Sequence, residues 1–247
     1  MAIWEQPDLL KDITSKPGIL LHGEKKKAEI ALCIAHQEIT TMEWAIAFRN
    51  LQLPSYLLFM NRGMPIDVAR ENMVRSALKH DIKYIFFLDS DIVLPPNAVM
   101  TLKAIIEQKN LPIVSALYWA RKRVDRPQPA AWKIIHREGN IIKAAPVIVE
   151  EHIPKGNIIE VDFVGMGACL IKREIFDKLD KKNPDKPFFE WGLGRKNLPQ
   201  ISEDFMFCLR CIDELGIHPY VATSVRAHHI CTARRNRDNG ILELVEI

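Results

Sequence analysis

Asp89 and Asp91 close a run of apolar residues, Tyr84-Ile85-Phe86-Phe87-Leu88, with Ser90 between them. A continuous apolar run of that length reads as a strand buried on both faces, ending where the first charge appears. In an extended chain residues i and i+2 point the same way, so both carboxylates can converge on one point. Like charges at one point need a reason, and a divalent cation supplies it; oxygen ligands suit magnesium or manganese. A pair of solvated loop aspartates is the plainer alternative. The placement after a buried strand and before Pro95-Pro96 favours a ligand site, because open α/β sheets bind ligands at the carboxyl ends of their strands.

Other residues invite a chemical reading alongside a structural one. Ser202-Glu203-Asp204 precedes a helical pattern of Phe205, Cys208, Leu209 and Ile212 that stops at Gly216. A carboxylate here could take a proton from a substrate hydroxyl. A serine N-cap with acids in the first turn is equally what a helix dipole favours. His228-His229 follows a strand at Val221 to Val225; in an extended chain the two point opposite ways, so one can face the ligand edge. Gly165 and Gly167, after Glu160 to Val164, allow either close approach to a ligand or a bulge. The Phe188 to Arg195 segment, with Trp191, reads as a binding loop or a plain surface loop. Cys208 and Cys211 fall within the helical pattern and read as core rather than metal ligands.

The elements that position these residues come in a regular order. Glu29 to Ala35 reads as a strand stopped by His36. Met42, Ala45, Phe48 and Leu51 follow at helical spacing up to Pro54. Tyr56 to Met60 is the next strand. A helix capped by Asp67 then covers Val68 to His80, with Met73, Val74 and Ala77 inward. After the aspartate strand, Asn97 can cap a helix carrying Val99, Leu102 and Ile105, and Pro112 to Tyr118 is a further strand. Such alternation predicts a Rossmann-like, mostly parallel central sheet with helices on both faces. Beyond Tyr118 the prolines at 127, 129, 146 and 154 break the pattern and predict a smaller, hairpin-rich mixed region. The expected organisation is an extension over 1–27, a nucleotide-binding half over 28–120, an acceptor and metal half over 121–231 within the same domain, and a basic tail over 232–247.

At 247 residues, with 48% hydrophobic and 26% charged residues, the composition is that of a globular protein. A formal charge of +3 from 34 basic and 31 acidic residues is too balanced to announce nucleic acid as a partner. No apolar run is long enough to span a bilayer, and the first residues lack a signal-peptide pattern. Five scattered cysteines argue for a reducing, cytoplasmic setting.

Taken together these motifs resemble a glycosyltransferase of the GT-A fold, closest to the family-2 type. The resemblance rests on order and spacing over residues 29–231: Ala69-Arg70-Glu71-Asn72, Phe87-Leu88-Asp89-Ser90-Asp91, Val164 to Ala168, Ser202-Glu203-Asp204, and His229. It implies a nucleotide-diphosphate sugar donor (a UDP- or GDP-sugar), Mn²⁺ or Mg²⁺, and a hydroxyl-bearing acceptor that is a glycan, a protein or a lipid-linked molecule. By that resemblance Asp91 and His229 hold the cation, with His228 as fallback, and Asp89 holds ribose or a metal-bound water. Asp204 is the base of an inverting transfer and Glu203 a contact to sugar or acceptor. Arg70 and His36 contact the nucleotide, and Ser90, between the two aspartates, belongs to the donor-binding set. Gly165 and Gly167 line the sugar site, Tyr118 and Arg121 contact acceptor or phosphate, and Trp191 sits on a lid over the donor. No Q-x-x-R-W-like motif follows His229, which argues against a processive synthase. Peripheral membrane contact through Arg234-Arg235-Asn236-Arg237 stays open.

Three other readings compete. A haloacid-dehalogenase-like phosphohydrolase also uses a strand followed by D-x-D, here Asp89 to Val93, but places it at the first core strand, whereas two strand-helix units precede it here. A nucleotidyltransferase opens with a glycine-rich basic loop, which Ala35-His36-Gln37-Glu38 is not. A non-catalytic sugar-nucleotide binder would share the fold and the metal without transfer.

Overall fold

The computed structural model describes residues 20–22, 28–36, 40–120, 128–139, 141–147, 156–192, 201–230, 234–235 and 242–243. Its core is an eight-stranded sheet. The strands and helices run β1 (Leu20–His22), β2 (Ile30–His36), α1 (Met42–Arg49), β3 (Tyr56–Arg62), α2 (Ile66–Ala77), β4 (Tyr84–Leu88), β5 (Ile92–Val93), α3 (Ala98–Gln108) and β6 (Ile113–Leu117). Two short strands, β7 (Trp119–Ala120) and β8 (Gln128–Pro129), pair with each other ahead of the hairpin β9 (Ala131–Glu138) and β10 (Ile141–Pro146). Then come β11 (Ile158–Glu160), β12 (Phe163–Val164), β13 (Ala168–Lys172), α4 (Arg173–Lys182), α5 (Glu203–Leu215), β14 (Tyr220–Arg226) and β15 (His228–His229).

Across the large sheet the order is β1-β3-β2-β4-β13-β6-β14-β11. The pairing senses make β3, β2, β4, β6 and β14 run one way and β1, β13 and β11 the other, so the sheet is mostly parallel. The expected alternation over residues 30–117 is present, with the two-residue β5 added. Alternate residues of the strands enter two separate buried clusters, as pleating requires. Ala31, Cys33, Ile85, Phe87, Cys169 and Ile171 pack with side chains of α2, α4 and α5. Ile30, Leu32, Ile34, Phe86, Leu88 and Leu170 pack with side chains of α1 and α3. All five residues of β4 are buried, as its unbroken apolar run requires.

Several local expectations shift. Met42 is 75% exposed and Trp44 is the buried anchor of α1, its ring stacked on Phe48 at 5.1 Å. Helix α2 begins at Ile66 behind Pro65 and ends at Ala77, with Asp67 in its first turn rather than at its cap. Asn97 holds the cap position of α3 without a side-chain hydrogen bond. Gly216 ends α5 at a left-handed φ of 67°, as the glycine stop predicts. The strand expected at Glu160 to Val164 is two strands in two sheets. Val161 N–H donates to Pro219 O (2.9 Å) and Asp162 N–H to Trp132 O (2.9 Å), so backbone partners change between adjacent residues. Asp162 fixes that corner by accepting from Ile134 N–H at 2.6 Å. Pairing of β12 and β10 with β9 then builds a second, three-stranded sheet beside the carboxyl end of β4.

Candidate functional site

Asp89 leaves the end of β4 with its N–H donating to Gly167 O at 2.9 Å, one step beyond the β4–β13 ladder. Its carbonyl accepts from the Trp44 indole N–H at 3.0 Å, and Ser90 O accepts from the Thr40 hydroxyl at 2.9 Å. The start of α1 therefore braces the aspartate loop. The chain then turns into β5, which pairs antiparallel with β15, Ile92 opposite His229 and Val93 opposite His228. Ile230 N–H donates to Asp91 O at 2.7 Å. This ladder brings His229 Nε2 to 3.6 Å from Asp91 Oδ1. His229 Nδ1 lies 2.9 Å from Trp119 O. A carbonyl can only accept, so Nδ1 carries a hydrogen, and the other ring nitrogen, Nε2, is the one that faces Asp91. His228 is exposed on the opposite side.

Arg70, on α2, joins the aspartate strand to α5. Its Nη2 donates to Asp89 Oδ1 (3.0 Å) and Oδ2 (2.9 Å), and its Nη1 donates to Glu203 Oε1. The guanidinium is only 3% exposed. Burial would lower its pKa, but the surrounding Asp89, Glu203 and Asp204 carboxylates more than offset that and keep it charged. One cation shared by several acids cannot satisfy them all. Burial pushes Glu203 up to about 7, against the pull of Arg70 and with Asp204 and Asp89 adding to it. Burial also raises Asp89, opposed by Arg70 and reinforced by Asp91.

Glu203 and Asp204 open α5. Ser202 holds the cap position, but its hydroxyl donates to Asp204 Oδ1 instead of capping a backbone N–H. Phe205 N–H donates to the same oxygen at 2.8 Å. Among the described residues Asp204 Oδ2 takes no hydrogen bond. The two oxygens of this carboxylate thus differ, Oδ1 being anchored by two donors and Oδ2 by none of the described residues.

The glycines are explained first by Tyr118. A Cβ at Gly165 would stand 2.2 Å from the Tyr118 hydroxyl oxygen, and one at Gly167 would stand 3.1 Å from both that oxygen and Asp89 Oδ2. Gly167 N–H donates to the Tyr118 hydroxyl at 3.0 Å. Burial, then the Asp89 and Asp204 charges, hold the Tyr118 phenol well above its usual pKa, so it stays protonated.

These groups meet at a cavity of about 620 Å³ lined by Arg70, Asp89, Tyr118, Gly165, Trp191, Ser202, Glu203, Asp204 and His229, with an apolar remainder that includes Trp132, Ile142, Phe163 and Phe205. His36 ends β2 at the same carboxyl edge, its carbonyl accepting from Gly63 N–H at 3.0 Å, but neither it nor Ser90, Asp91, Gly167 or His228 is among the lining residues; Asp91 reaches the cavity only through its neighbour His229. Trp191 is 39% exposed; the rest of its loop, 193–200, lies outside the described residues, as does Arg121. Cys208 and Cys211 are buried core residues, as expected.

Among the described residues, no group of three His, Cys, Asp or Glu side chains stands ready as a metal cluster. Asp91 and His229 offer one carboxylate oxygen and one imidazole nitrogen. A Mg²⁺ or Mn²⁺ ion that keeps several waters and takes phosphate oxygens from its substrate needs no more from the protein, so the pair fits such an ion.

No family model and no curated protein matches the chain. Among solved structures it is similar to A197 from STIV, at 17% identity and a TM-score of 0.49, over 86% of this chain and 92% of that one. It is also similar to GalNAc-T7, crystallised with UDP, GalNAc and Mn²⁺, at 14% identity and a TM-score of 0.49, over 84% of this chain and 45% of that one. Among the described residues, no helix is long and apolar enough to cross a membrane.

Two features of the candidate site escaped sequence reasoning. Arg70 stands out as a helix arginine, but nothing in its neighbourhood says that it pairs with a residue 133 positions later. The aromatic wall of Trp132, Phe163 and Phe205 draws one residue from an irregular stretch and two from elements read as core. A helix residue directly after a candidate base was the available signal for Phe205.

Proposed function

We propose that this protein is a metal-dependent glycosyltransferase of the GT-A type, moving a sugar from a nucleoside-diphosphate donor to a hydroxyl acceptor. The observation that carries the reading is the meeting of Asp91 and His229 across the β5–β15 ladder, at the carboxyl edge of the sheet, beside a cavity lined by Asp204. Residues 28–120 bind the nucleotide in this reading, and 121–231 complete the metal and acceptor side.

Asp91 and His229 would hold the divalent cation, which when bound would offset the charge of the departing diphosphate. Asp204 takes the hydroxyl proton as the acceptor oxygen bonds to the anomeric carbon, and the electrons of the broken bond leave on the nucleoside diphosphate, inverting the centre. Glu203 contacts sugar or acceptor. Arg70 acts through both acids as a positioning residue, and Tyr118 holds the glycine turn that backs Asp89. Asp89, the nucleophile of the phosphohydrolase alternative, has both oxygens bonded to Arg70, which opposes attack on phosphorus.

Calorimetric titration of UDP and GDP with manganese, and again after chelation, tests the reading. One of the two should bind clearly with the ion and much more weakly without it, and Asp91→Ala should remove the difference while the fold persists. Equal affinity in both conditions overturns the proposal.

A further inference from the structure

The cavity has two unlike parts. Phe205 stacks on Phe163 with ring centroids 4.7 Å apart and planes 6° apart, and meets Trp132 edge-on at 4.7 Å. Ile142 and Leu209 extend this wall, and both line the cavity. All but Phe163 are only half-buried, so the wall presents apolar surface instead of closing on itself. It also starts beside the proposed base: Phe205 follows Asp204 and donates its N–H to that carboxylate.

From this geometry we infer that the acceptor is an uncharged alcohol carried on an apolar body, an alkyl or aryl aglycone, with its hydroxyl at Asp204 and its body against Trp132, Phe163 and Phe205. The inference rests on the glycosyltransferase reading and names its acceptor class. A free oligosaccharide needs hydrogen-bond partners along its length, and of these wall side chains only Trp132 carries a polar atom. An apolar body displaces water from the wall and gains contact, with only the Trp132 indole N–H left to be satisfied at the edge. Charge excludes an anionic acceptor, since Asp89, Glu203 and Asp204 surround a guanidinium whose two terminal nitrogens Asp89 and Glu203 already take and whose Nε is buried out of reach. A phosphate group at the base would lie against carboxylates.

The test is tryptophan fluorescence and calorimetric titration of the full chain with n-octyl β-D-glucopyranoside below its micelle concentration. Phenyl β-D-glucopyranoside, glucose and octyl phosphate serve as comparison probes. The octyl or the phenyl glucoside should bind, while glucose and octyl phosphate bind at least about tenfold more weakly. Trp132→Ala should weaken the glucoside roughly 10- to 100-fold, the range expected for losing a buried aromatic contact. Ile142→Ser, on the edge strand β10, should weaken it in the same direction, which guards against misfolding of the tryptophan variant. Equal binding of glucose and glucosides, or glucoside binding that neither variant changes, overturns the inference. UDP or GDP binding with manganese, measured on the same preparations, separates the two ideas. Nucleotide binding without glucoside binding overturns the acceptor class alone. Glucoside binding that both variants weaken, without nucleotide binding, removes the transferase reading and leaves the apolar site standing.

Discussion

Replacing Arg70 with methionine removes the cation that Asp89 and Glu203 share while filling most of its volume. Asp89 is 27% exposed and can recover some hydration, whereas Glu203 is 5% exposed and cannot. Deleting one partner of a buried pair costs about 3–5 kcal/mol. For a chain of this size that is a fall of roughly 6–20 °C in Tm, at about 2–4 °C per kcal/mol. The cost should depend on pH. Glu203 already has a folded-state pKa raised from 4.5 to about 7, so the folded chain holds that proton more tightly than the unfolded one. Its contribution to stability is complete below about 4.5 and is lost as pH rises through about 7, on the order of 3 kcal/mol in the wild type. Without Arg70 the carboxyl climbs further. The variant should therefore lose most stability at pH 8 and markedly less at pH 5, where the proton neutralises the stranded acid. Urea unfolding of both proteins at the two pH values measures this. Adding Glu203→Gln to Arg70→Met should restore part of the loss at pH 8, a coupling that a double-mutant cycle reads directly. A loss under about 1 kcal/mol at pH 8, the scale of an exposed pair, or one equal at both pH values, would refute the account.

Asp204→Asn should stay folded and keep donor affinity while turnover falls about 10²–10⁴-fold, seen by single-turnover kinetics beside nucleotide titration. Near wild-type turnover would make that acid a helix-terminus residue only. His229→Ala should weaken manganese-dependent nucleotide binding and His228→Ala should not, by calorimetry; equal effects would contradict their placement on opposite sides of β15. Gly165→Ala should cost about 1–3 kcal/mol in chemical denaturation, because its Cβ would meet the Tyr118 hydroxyl at 2.2 Å.

What was legible in the sequence follows from which forces act locally. The run from Tyr84 to Leu88 announces a strand buried on both faces because every residue in it is apolar, and its charged stop marks the site. The start of α5 was readable from Ser202, and its end from Gly216. The hydroxyl of Ser202 was not, since a cap serine ordinarily accepts from a backbone N–H and only the folded geometry turns this one to Asp204. The choice between the histidines depended on pairing with β5, a register set by residues far away in sequence. Arg70 belongs to the same class, being recruited by acids at both ends of the fold. The split between β11 and β12 was hidden because either half of that segment is an acceptable strand and only Asp162 decides the corner.

The position of β13 has a consequence for how the protein reaches its native state. This strand lies antiparallel between β4 and β6, pairing Tyr84–Leu88 with Ala168–Lys172 on one side and Ile113–Val114–Ser115 on the other. Until it docks, β4 keeps one open edge, and β6, whose partners β13 and β14 both come later in the chain, has neither of its strand pairings, although both strands are complete by residue 117. Such edges recruit other chains when left open. On a ribosome the chain must pass through this open-sheet stage while the intervening residues are made. A fragment ending near residue 120 would remain in it and is expected to aggregate. Docking β13 is a non-local step, of the kind that slows folding, and the same step delivers Gly167 O to the Asp89 N–H.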